Sequence, residues 1–290
     1  MKTSEPISKP MLKQSESLIA VIGASGKTGT RVVNLLQQQG RRVRPLSRHS
    51  DIPFDWQNRS GWSTALRDVT AAYVTYYPDL AVPQAEADIQ ALVAVAKAEG
   101  VEQLVLLSGR GEDGAQKAEI VVQESGLRWN IVRASWFMQN FSESFMLEGL
   151  QDGMLVLPQP KAKEPFIDVD DIAEIAVAAL TKAELANQLF EVTGPELLTF
   201  SQCIADIATA SERSIDFLPV PVDAFLAGAK AQGVPDDMSW LVKELFVNVL
   251  DGRNEFITDT VEQVLGKPAR RFSQYVDVTS PSGVWHQVNA

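Results

Sequence analysis

The chain has 290 residues, of which 45% are hydrophobic and 22% are charged, and its formal net charge is −11 at pH 7. This is the composition of an ordinary globular protein, and the acidic balance argues against a nucleic-acid partner, whose phosphates bind clustered Lys and Arg. One cysteine excludes an intramolecular disulfide and two histidines leave no plausible zinc set, so we expect no metal and a reducing, cytoplasmic location. No apolar run approaches the roughly 20 residues that span a bilayer, so we expect no membrane partner.

The N-terminal part of the chain predicts a flexible tail followed by a nucleotide-binding turn. Residues 1–17 are polar and lack the apolar core of a signal peptide. Residues 18–22 form an apolar run typical of a strand that is buried on both faces. Glycines then recur at a spacing of three, and a helical pattern follows at once, which places backbone N–H groups where they can hold a pyrophosphate. We therefore predict a dinucleotide site in the loop residues Gly23, Ser25, Gly26, Lys27, Thr28 and Gly29.

A P-loop is the competing interpretation of this turn. Gly26-Lys27-Thr28 matches the end of that motif, but its first glycine would fall on Val21. The ATPase interpretation fails on this residue.

The second predicted strand, residues 42–46, indicates which cofactor is bound. It ends in Ser47 and Arg48, at the distance from the glycines where a Rossmann unit meets the adenosine ribose. An acidic residue there would select NAD, whereas an arginine pairs with a 2′-phosphate, so we expect NADP(H). The alternative is that Arg48 belongs to a solvated basic cluster with Arg41, Arg42 and Arg44.

Strand and helix patterns alternate up to about residue 150. Residues 54–56 predict a third, edge-like strand that places Asp55 or Trp56 near the adenine, although Trp56 is equally interpreted as a core aromatic. Strands at 71–77, 103–107 and 128–133 then alternate with helices at 83–99 and 115–125. This alternation predicts a parallel, doubly wound α/β sheet of the Rossmann type, with residues 18–150 as the NADP-binding domain.

Beyond residue 150 the alternation breaks down. Strands are predicted at 154–157, 166–168, 189–192 and 215–218, and helices at 170–181, 200–210, 222–231 and 236–250. Asp170 is expected to cap the first of these helices, and Thr199 with Gln202 predicts a capping box for the second. We assign 151–290 mainly to a smaller α+β substrate region, with residues 166–193 returning to the Rossmann domain. An apolar face of the last helix, typical of core or lid, carries Met238, Leu241, Leu245 and Val249.

Five segments of the chain resemble a known family. These are residues 23–29 (GASGKTG), 54–56 (FDW), 133–142 (RASWFMQNFS), 165–172 (PFIDVDDI) and 193–199 (TGPELLT). They are similar to the NmrA-like branch of the atypical short-chain dehydrogenase/reductase superfamily, and within it to the subgroup of ergot-alkaloid reductases. The resemblance runs from about residue 18 to about residue 276. It implies the Rossmann fold and NADP(H), but it is less specific for substrate, because the branch includes quinone and azo reductases as well as non-catalytic NADP-sensing regulators.

The chain departs from the superfamily at its acid/base dyad. Most members use Tyr-x-x-x-Lys to pass a proton during hydride transfer, but no tyrosine of this chain has a lysine four residues on. The resemblance places Gly111 and Ala115 at the dyad positions, and Ser108 near the usual serine position.

Two classes of function remain compatible with this sequence. The first is an NADPH-dependent reductase of a small hydrophobic acceptor, an imine or iminium ion, a quinone or an azo compound, acting as a monomer or homodimer. Its candidate catalytic residues are Tyr76, Tyr77 and Ser108, the last also against the cofactor, and its candidate substrate pocket comprises Tyr77, Arg110, Trp136, Met138 and Asn140. The second is a non-catalytic NADP(H)-binding redox sensor that acts through a protein partner.

Overall fold

A parallel sheet organises the described part of the chain, which in this computed structural model comprises residues 17–158 and 162–287. The predicted N-terminal tail lies outside the described residues except for Ser17. The strands are β1 (Leu18–Ile22), β2 (Arg42–Leu46), β3 (Ala71–Val74), β4 (Gln103–Gly109), β5 (Arg128–Ala134), β6 (Met154–Pro158), β7 (Gln188–Val192) and β8 (Asp216–Val220). Six of them form an all-parallel sheet in the order β2-β1-β3-β4-β5-β7, and β6 pairs with β8 in a second, two-stranded parallel sheet. The predicted α/β Rossmann class is confirmed.

Helices cover both faces of the large sheet. They are α1 (Lys27–Gln38), α2 (Trp62–Leu66), α3 (Ala85–Ala98), α4 (Asp113–Gln123), α5 (Met146–Asp152), α6 (Val169–Thr181), α7 (Phe200–Ala210), α8 (Val222–Ala231), α9 (Asp236–Lys243), α10 (Thr260–Leu265) and α11 (Phe272–Thr279). On one face α3 packs on α4, and on the other α1 packs on α6. Because both faces are covered, β3 is buried along its whole length, which explains the uninterrupted apolar runs of the central strands. No helix of the described residues is long and apolar enough to cross a membrane.

Chain order reverses between β1 and β3. The chain leaves β1 for β2 on one side and returns to β3 on the other. In an open parallel sheet this reversal opens a crevice at the carboxyl ends of the strands, and ligands bind there. The glycine loop, residues 23–26, follows β1 at this point.

A third apolar cluster lies beside the large sheet and is rich in aromatic residues. It includes Phe141, Phe166, Phe200, Phe272 and Trp285, contributed by widely separated segments of the chain. The Thr199 hydroxyl accepts a hydrogen bond from the Gln202 N–H, so the predicted capping box at the start of α7 is confirmed.

Several local predictions are wrong. Residues 54–56 form no strand, because the chain turns there and Asp55 makes only an isolated bridge to Asn58. Residues 166–168 form no strand either, since Ile167 makes a single bridge to Phe137. Asp168 rather than Asp170 caps α6, accepting a hydrogen bond of 2.8 Å from the Asp170 N–H. The last predicted helix ends at Lys243 and continues as a π-helix, Glu244–Val249.

Candidate functional site

The loop between β1 and α1 requires glycine at two positions. Gly23 has a φ of +84°, and a Cβ atom there would lie 1.9 Å from the Thr75 Oγ1. A Cβ atom at Gly29 would lie 2.1 Å from the Gly23 carbonyl oxygen. Gly26 is the extended N-cap of α1, and no side chain of the described residues caps the helix there. The N–H groups of the first helical turn therefore face an open position that suits an anion.

Lys27 adds a cationic side chain to this loop. Burial lowers the pKa of its ammonium group, an effect that Glu143 opposes and Arg31 reinforces. Arg31 is itself held by Glu143 at 2.8 Å and Asp170 at 2.7 Å. Arg31 is therefore paired with two carboxylates, whereas Lys27 forms no salt bridge among the described residues.

Ser47 and Arg48 stand at the end of β2, beside the glycine loop. The Gly23 N–H donates to the Leu46 carbonyl at 2.9 Å, which ties the loop to this strand end. Arg48 is exposed, and its guanidinium carbon lies 5.4 Å from the centre of the Tyr77 ring. Of the competing basic cluster, Arg44 donates to the Ala65 and Arg67 carbonyls and so has a structural role.

Trp56 is fixed by protein contacts. Its indole N–H donates to the Thr75 carbonyl at 3.1 Å, and its ring packs against Phe54, Trp62 and Tyr76. These contacts are those of a core aromatic residue, which is the alternative interpretation of Trp56. The Asp55 carboxylate accepts from the Gln57 N–H at 3.0 Å, in the same turn.

A cavity of about 360 Å³ lies at the carboxyl ends of β3, β4 and β5. Lys27 of the glycine loop belongs to its lining, so the cavity begins where the crevice meets that loop. Apolar side chains of α9 and the π-helix, Leu241, Val242, Leu245 and Phe246, also line it. The remaining lining comes from the loops after the three strands and includes Tyr76, Asp79, Ser108, Arg110, Glu112, Trp136, Phe137 and Asn140.

Two predicted pocket residues lie outside this lining. Tyr77 is 67% exposed and turns toward Arg48, because consecutive side chains in the extended segment after β3 point in opposite directions and Tyr76 points inward. Met138 is fully buried in the aromatic cluster, because the 3₁₀ turn Met138–Phe141 directs it away from the sheet edge. Tyr76, Ser108, Arg110, Trp136 and Asn140 line the cavity.

The two candidate proton donors of the cavity are hydrogen-bonded to carboxylates. Tyr76 donates its hydroxyl proton to Asp88 at 2.6 Å, and burial together with Asp88 raises the pKa of this phenol. Ser108 donates to Glu119 at 2.6 Å, and Glu119 also accepts from Arg133 at 2.9 Å.

Arg110 is held rigidly behind the cavity. Its guanidinium donates to Glu191 at 2.8 Å and to the Ser135 hydroxyl at 3.1 Å, and it lies 4.3 Å from the centre of the Phe256 ring. Its Nη2 atom has no hydrogen-bond partner among the described residues. Arg110 thus gives the cavity a fixed positive wall.

Sequence reasoning missed two acidic residues of the lining. Asp79 follows β3 and Glu112 follows β4, and their carboxyl groups are hydrogen-bonded to each other. The available signal was that both residues follow neighbouring strands of a parallel sheet, whose carboxyl ends share one edge. Neither residue belongs to a recognisable spacing motif.

Comparisons with known proteins identify the family of the chain. The chain is 28% identical to an NAD(P)H azoreductase of Xenophilus azovorans, over 89% of this chain and 96% of the relative. It is 27% identical to an agroclavine dehydrogenase of Claviceps fusiformis, over 92% and 98% of the two chains. The structure of an NADPH-dependent quinone oxidoreductase of Escherichia coli shares the fold, with a TM-score of 0.72 and 19% identity over 90% of this chain and 99% of that one. The model of the NmrA-like family matches residues 15–278, and the chain therefore belongs to the NmrA-like family.

Proposed function

We propose that the protein is an NADPH-dependent reductase that transfers hydride to a small hydrophobic acceptor: an imine or iminium ion, a quinone or an azo compound. The observation that carries this proposal is the cavity of about 360 Å³ at the carboxyl ends of β3, β4 and β5, which begins at Lys27 and has an apolar roof. A concave, mostly apolar pocket with a few polar groups is typical of a small-molecule site. A flat docking surface would need no such enclosure.

The glycine loop supports a dinucleotide as the cofactor. The space that Cβ atoms at Gly23 and Gly29 would fill is taken by Thr75 and by the loop itself, so the backbone closes tightly before α1 and presents its N–H groups to a pyrophosphate. Gly23, Ser25, Gly26, Lys27, Thr28 and Gly29 would hold this group. NADPH, when bound, supplies the hydride.

Arg48 supports the phosphorylated form of the cofactor. It is exposed at the end of β2, where a Rossmann unit meets the adenosine ribose, and the first four residues after the strand, 47–50, include no carboxylate. Arg48 and Ser47 would bind the 2′-phosphate. The cavity at the carboxyl ends of β3, β4 and β5 lies on the other side of the loop from β2 and would hold the nicotinamide half.

The relatives support the choice of acceptor. An azoreductase and a clavine dehydrogenase are among them, and a quinone oxidoreductase shares the fold. All three names describe oxidoreductases, and two of them name an azo compound or a quinone as the acceptor. The cavity matches this class through Trp136, Phe137 and the roof residues Leu241 and Phe246.

A titration of cofactor fluorescence tests the cofactor. Because a hydrogen bond to a charged group contributes about 1.5–3 kcal/mol, we expect Arg48→Ala to weaken NADPH binding about tenfold to hundredfold. The affinity for NADH, which lacks the 2′-phosphate, should stay unchanged. Arg67→Ala is the matched control. Arg67 is an exposed arginine that precedes β3, and it therefore lies at the amino ends of the strands, away from the proposed cofactor site. Equal losses for NADPH and NADH would contradict the assignment.

A panel of quinones, azo compounds and cyclic imines tests the activity through NADPH consumption. We expect turnover of at least one class. The competing function is a redox sensor, favoured by Gly111 and Ala115 at the positions of the acid/base dyad. NADPH binding without turnover of any acceptor, together with a protein partner captured only with one redox form of the cofactor, would replace the reductase by the sensor.

A further inference from the structure

We propose that Asp79 and Glu112 form a carboxyl pair that shares one proton and that Glu112 delivers this proton to the acceptor after hydride transfer. This inference rests on the proposed reductase function and supplies the acid that the absent Tyr-x-x-x-Lys dyad leaves unassigned.

Backbone geometry places the two carboxyl groups together in the cavity. Asp79 follows β3, and its Oδ1 accepts a hydrogen bond of 2.8 Å from the Ala81 N–H. A Cβ atom at Gly114, in the first turn of α4, would lie 2.2 Å from the Ala81 carbonyl oxygen, so glycine allows α4 to press against the turn that carries Asp79. Glu112 immediately precedes α4, and the two side chains are hydrogen-bonded.

Glycine also makes room for the Glu112 carboxyl group. A Cβ atom at Gly109 would lie 2.0 Å from the Glu112 Oε1, so any side chain there would displace the carboxyl group. Gly109 ends β4, directly after Ser108. The Glu112 carboxyl group therefore lies over the strand end that faces the cavity, and its side chain is nearly buried, with 8% exposed.

The surroundings of the pair determine which carboxyl group holds the proton. Burial raises the pKa of Glu112 well above its usual value, and the charges of Asp79, Glu119 and Glu244 raise it further. Burial also raises the pKa of Asp79, but there the Ala81 N–H and Glu112 act in the opposite direction. We therefore assign the shared proton to Glu112, whose carboxyl group is buried over Gly109 and lines the cavity, and its O–H would donate to the Asp79 carboxylate.

The ionisable neighbours of the pair are predominantly acidic. The charges that act on Glu112 are those of Asp79, Glu119 of α4 and Glu244 of the π-helix. Glu119 is itself paired with Arg133. The ionisable groups of the remaining lining are Lys27, Tyr76 and Arg110. Arg253 contacts the Gly111 carbonyl at 3.5 Å and is paired with Asp251 and Asp113. No cation forms a salt bridge with Asp79 or Glu112 in the described part of the chain, so the proton stays on the pair.

The other donors of the cavity are poorer acids. A general acid works best when its pKa lies near the working pH. Burial and Asp88 raise the pKa of Tyr76 and so move this phenol further from neutrality. Ser108 is an aliphatic alcohol whose proton is engaged by Glu119. The same burial that makes the phenol a weaker acid favours the protonated form of the Glu112 carboxyl group, which therefore holds a proton to give.

The proton balance separates two kinds of acceptor. A quinone takes two electrons and one proton as hydride and becomes a hydroquinone anion. The Glu112 O–H bond then breaks as the O–H bond of the product forms, which leaves a carboxylate on Glu112. Asp79, which is partly exposed, returns a proton from solvent to Glu112. An iminium ion becomes a neutral amine on hydride transfer and needs no proton.

The test compares Glu112→Gln with wild type on a quinone and on an iminium acceptor. General acid catalysis contributes about 100-fold or more, so we expect kcat for the quinone to fall about 100-fold in the variant. We also expect the wild-type kcat for the quinone to decline as the pH rises through the pKa of Glu112, and this decline should be absent in Glu112→Gln. With the iminium acceptor, kcat should change less than twofold.

A matched control and a measurement without cofactor complete the design. Asp113→Asn removes the adjacent carboxylate, whose side chain is 82% exposed, and should behave as wild type. Because Glu164 also holds a proton in part of the molecules at neutral pH, the infrared spectra of cofactor-free wild type and Glu112→Gln are compared as a difference. This difference should contain the C=O stretch of one protonated carboxyl group that the variant lacks. Unchanged NADPH affinity in Glu112→Gln would show that the variant is folded.

The outcomes distinguish this inference from the function on which it rests. Quinone reduction with an unchanged rate and pH profile in Glu112→Gln would overturn the acid pair and leave the reductase intact. Absence of the carboxyl band from the infrared difference between wild type and Glu112→Gln would do the same. Equal losses on both acceptors would also overturn it, because the residue would then act in positioning. A wild type that binds NADPH but reduces no acceptor would overturn the proposed function and the proton donor together.

Discussion

Glu164, behind the cavity, is expected to make the stability of the protein depend on pH in an unusual direction. Its side chain is 1% exposed, its Oε1 accepts a hydrogen bond of 3.2 Å from the Trp136 N–H, and its Oε2 has no hydrogen-bond partner among the described residues. Burial raises the pKa of Glu164 to about 7, although the Trp136 N–H, the charge of Arg110 and the Ser135 hydroxyl oppose this. The ionised form is therefore disfavoured in the folded protein.

The sign and size of the effect follow from proton linkage. Because the folded-state pKa exceeds the unfolded value, the group stabilises the fold fully below the unfolded pKa, and this contribution is lost as the pH rises through the folded pKa. With values of 4.5 unfolded and about 7 folded, the loss of unfolding free energy between pH 5 and pH 8 is about 2.5 kcal/mol. Glu164→Gln keeps the shape of the protonated carboxyl group and cannot ionise. Between pH 5 and pH 8, the unfolding free energy of the variant should therefore rise by about 2.5 kcal/mol relative to that of the wild type.

Urea denaturation of both proteins at pH 5 and pH 8 measures this double difference. Glu148→Gln serves as control, because Glu148 is an exposed carboxylate of α5 and should give no such gain. A double difference within about 0.5 kcal/mol of zero would refute the burial argument. A value of opposite sign would show that the charge of Arg110 outweighs burial, so that Glu164 is the ionised half of an ion pair.

Three further substitutions test the loop, a buried ion pair and a helix cap. Gly29→Ala places a Cβ atom 2.1 Å from the Gly23 carbonyl oxygen, so NADPH affinity should fall more than about tenfold by fluorescence titration, while an unchanged affinity would contradict the loop assignment. Arg133→Gln leaves the buried Glu119 without its cation and should cost about 3–5 kcal/mol in urea denaturation, whereas a loss below about 1 kcal/mol would show that Ser108 suffices. Thr199→Ala removes the capping box of α7 and should cost about 1 kcal/mol, in contrast to Thr209→Ala at an exposed position near the end of the same helix.

The large sheet could be predicted from sequence because its signals are local and repetitive. A strand that is buried on both faces needs a continuous apolar run, and the helix that follows needs an apolar stripe and a stop. The runs at 18–22 and 71–74 and the stops at Gly40 and Gly100 supply these signals, and both glycines have positive φ. Residues 54–56 carry no such combination of signals. A segment of three residues with two aromatic side chains is equally compatible with a short strand and with a buried turn.

The direction of single side chains in the loops could not be predicted. Tyr77 was expected in the pocket and lies against Arg48 at the surface, whereas Met138 was expected there and lies in the aromatic cluster. Neither residue lies in a long strand or α-helix, so the apolar spacing of the sequence does not indicate which way its side chain points. The contacts that decide it, such as the Met138 N–H to the Ile167 carbonyl, join segments far apart in the chain.

The proposed acid of this site belongs to no spacing motif. A Tyr-x-x-x-Lys dyad requires two residues four positions apart, and Gly111 and Ala115 stand at those positions, so this spacing motif supplies no acid. In a parallel sheet, however, the loops after neighbouring strands converge at one edge, so residues distant in sequence can meet there without any spacing motif. Asp79 after β3 and Glu112 after β4 meet in this way because Gly109 and Gly114 leave room for the close approach. The absence of the Tyr-x-x-x-Lys residues in this fold therefore excludes only that dyad as the acid. Residues from neighbouring loops can still form a catalytic acid at the carboxyl ends of the strands.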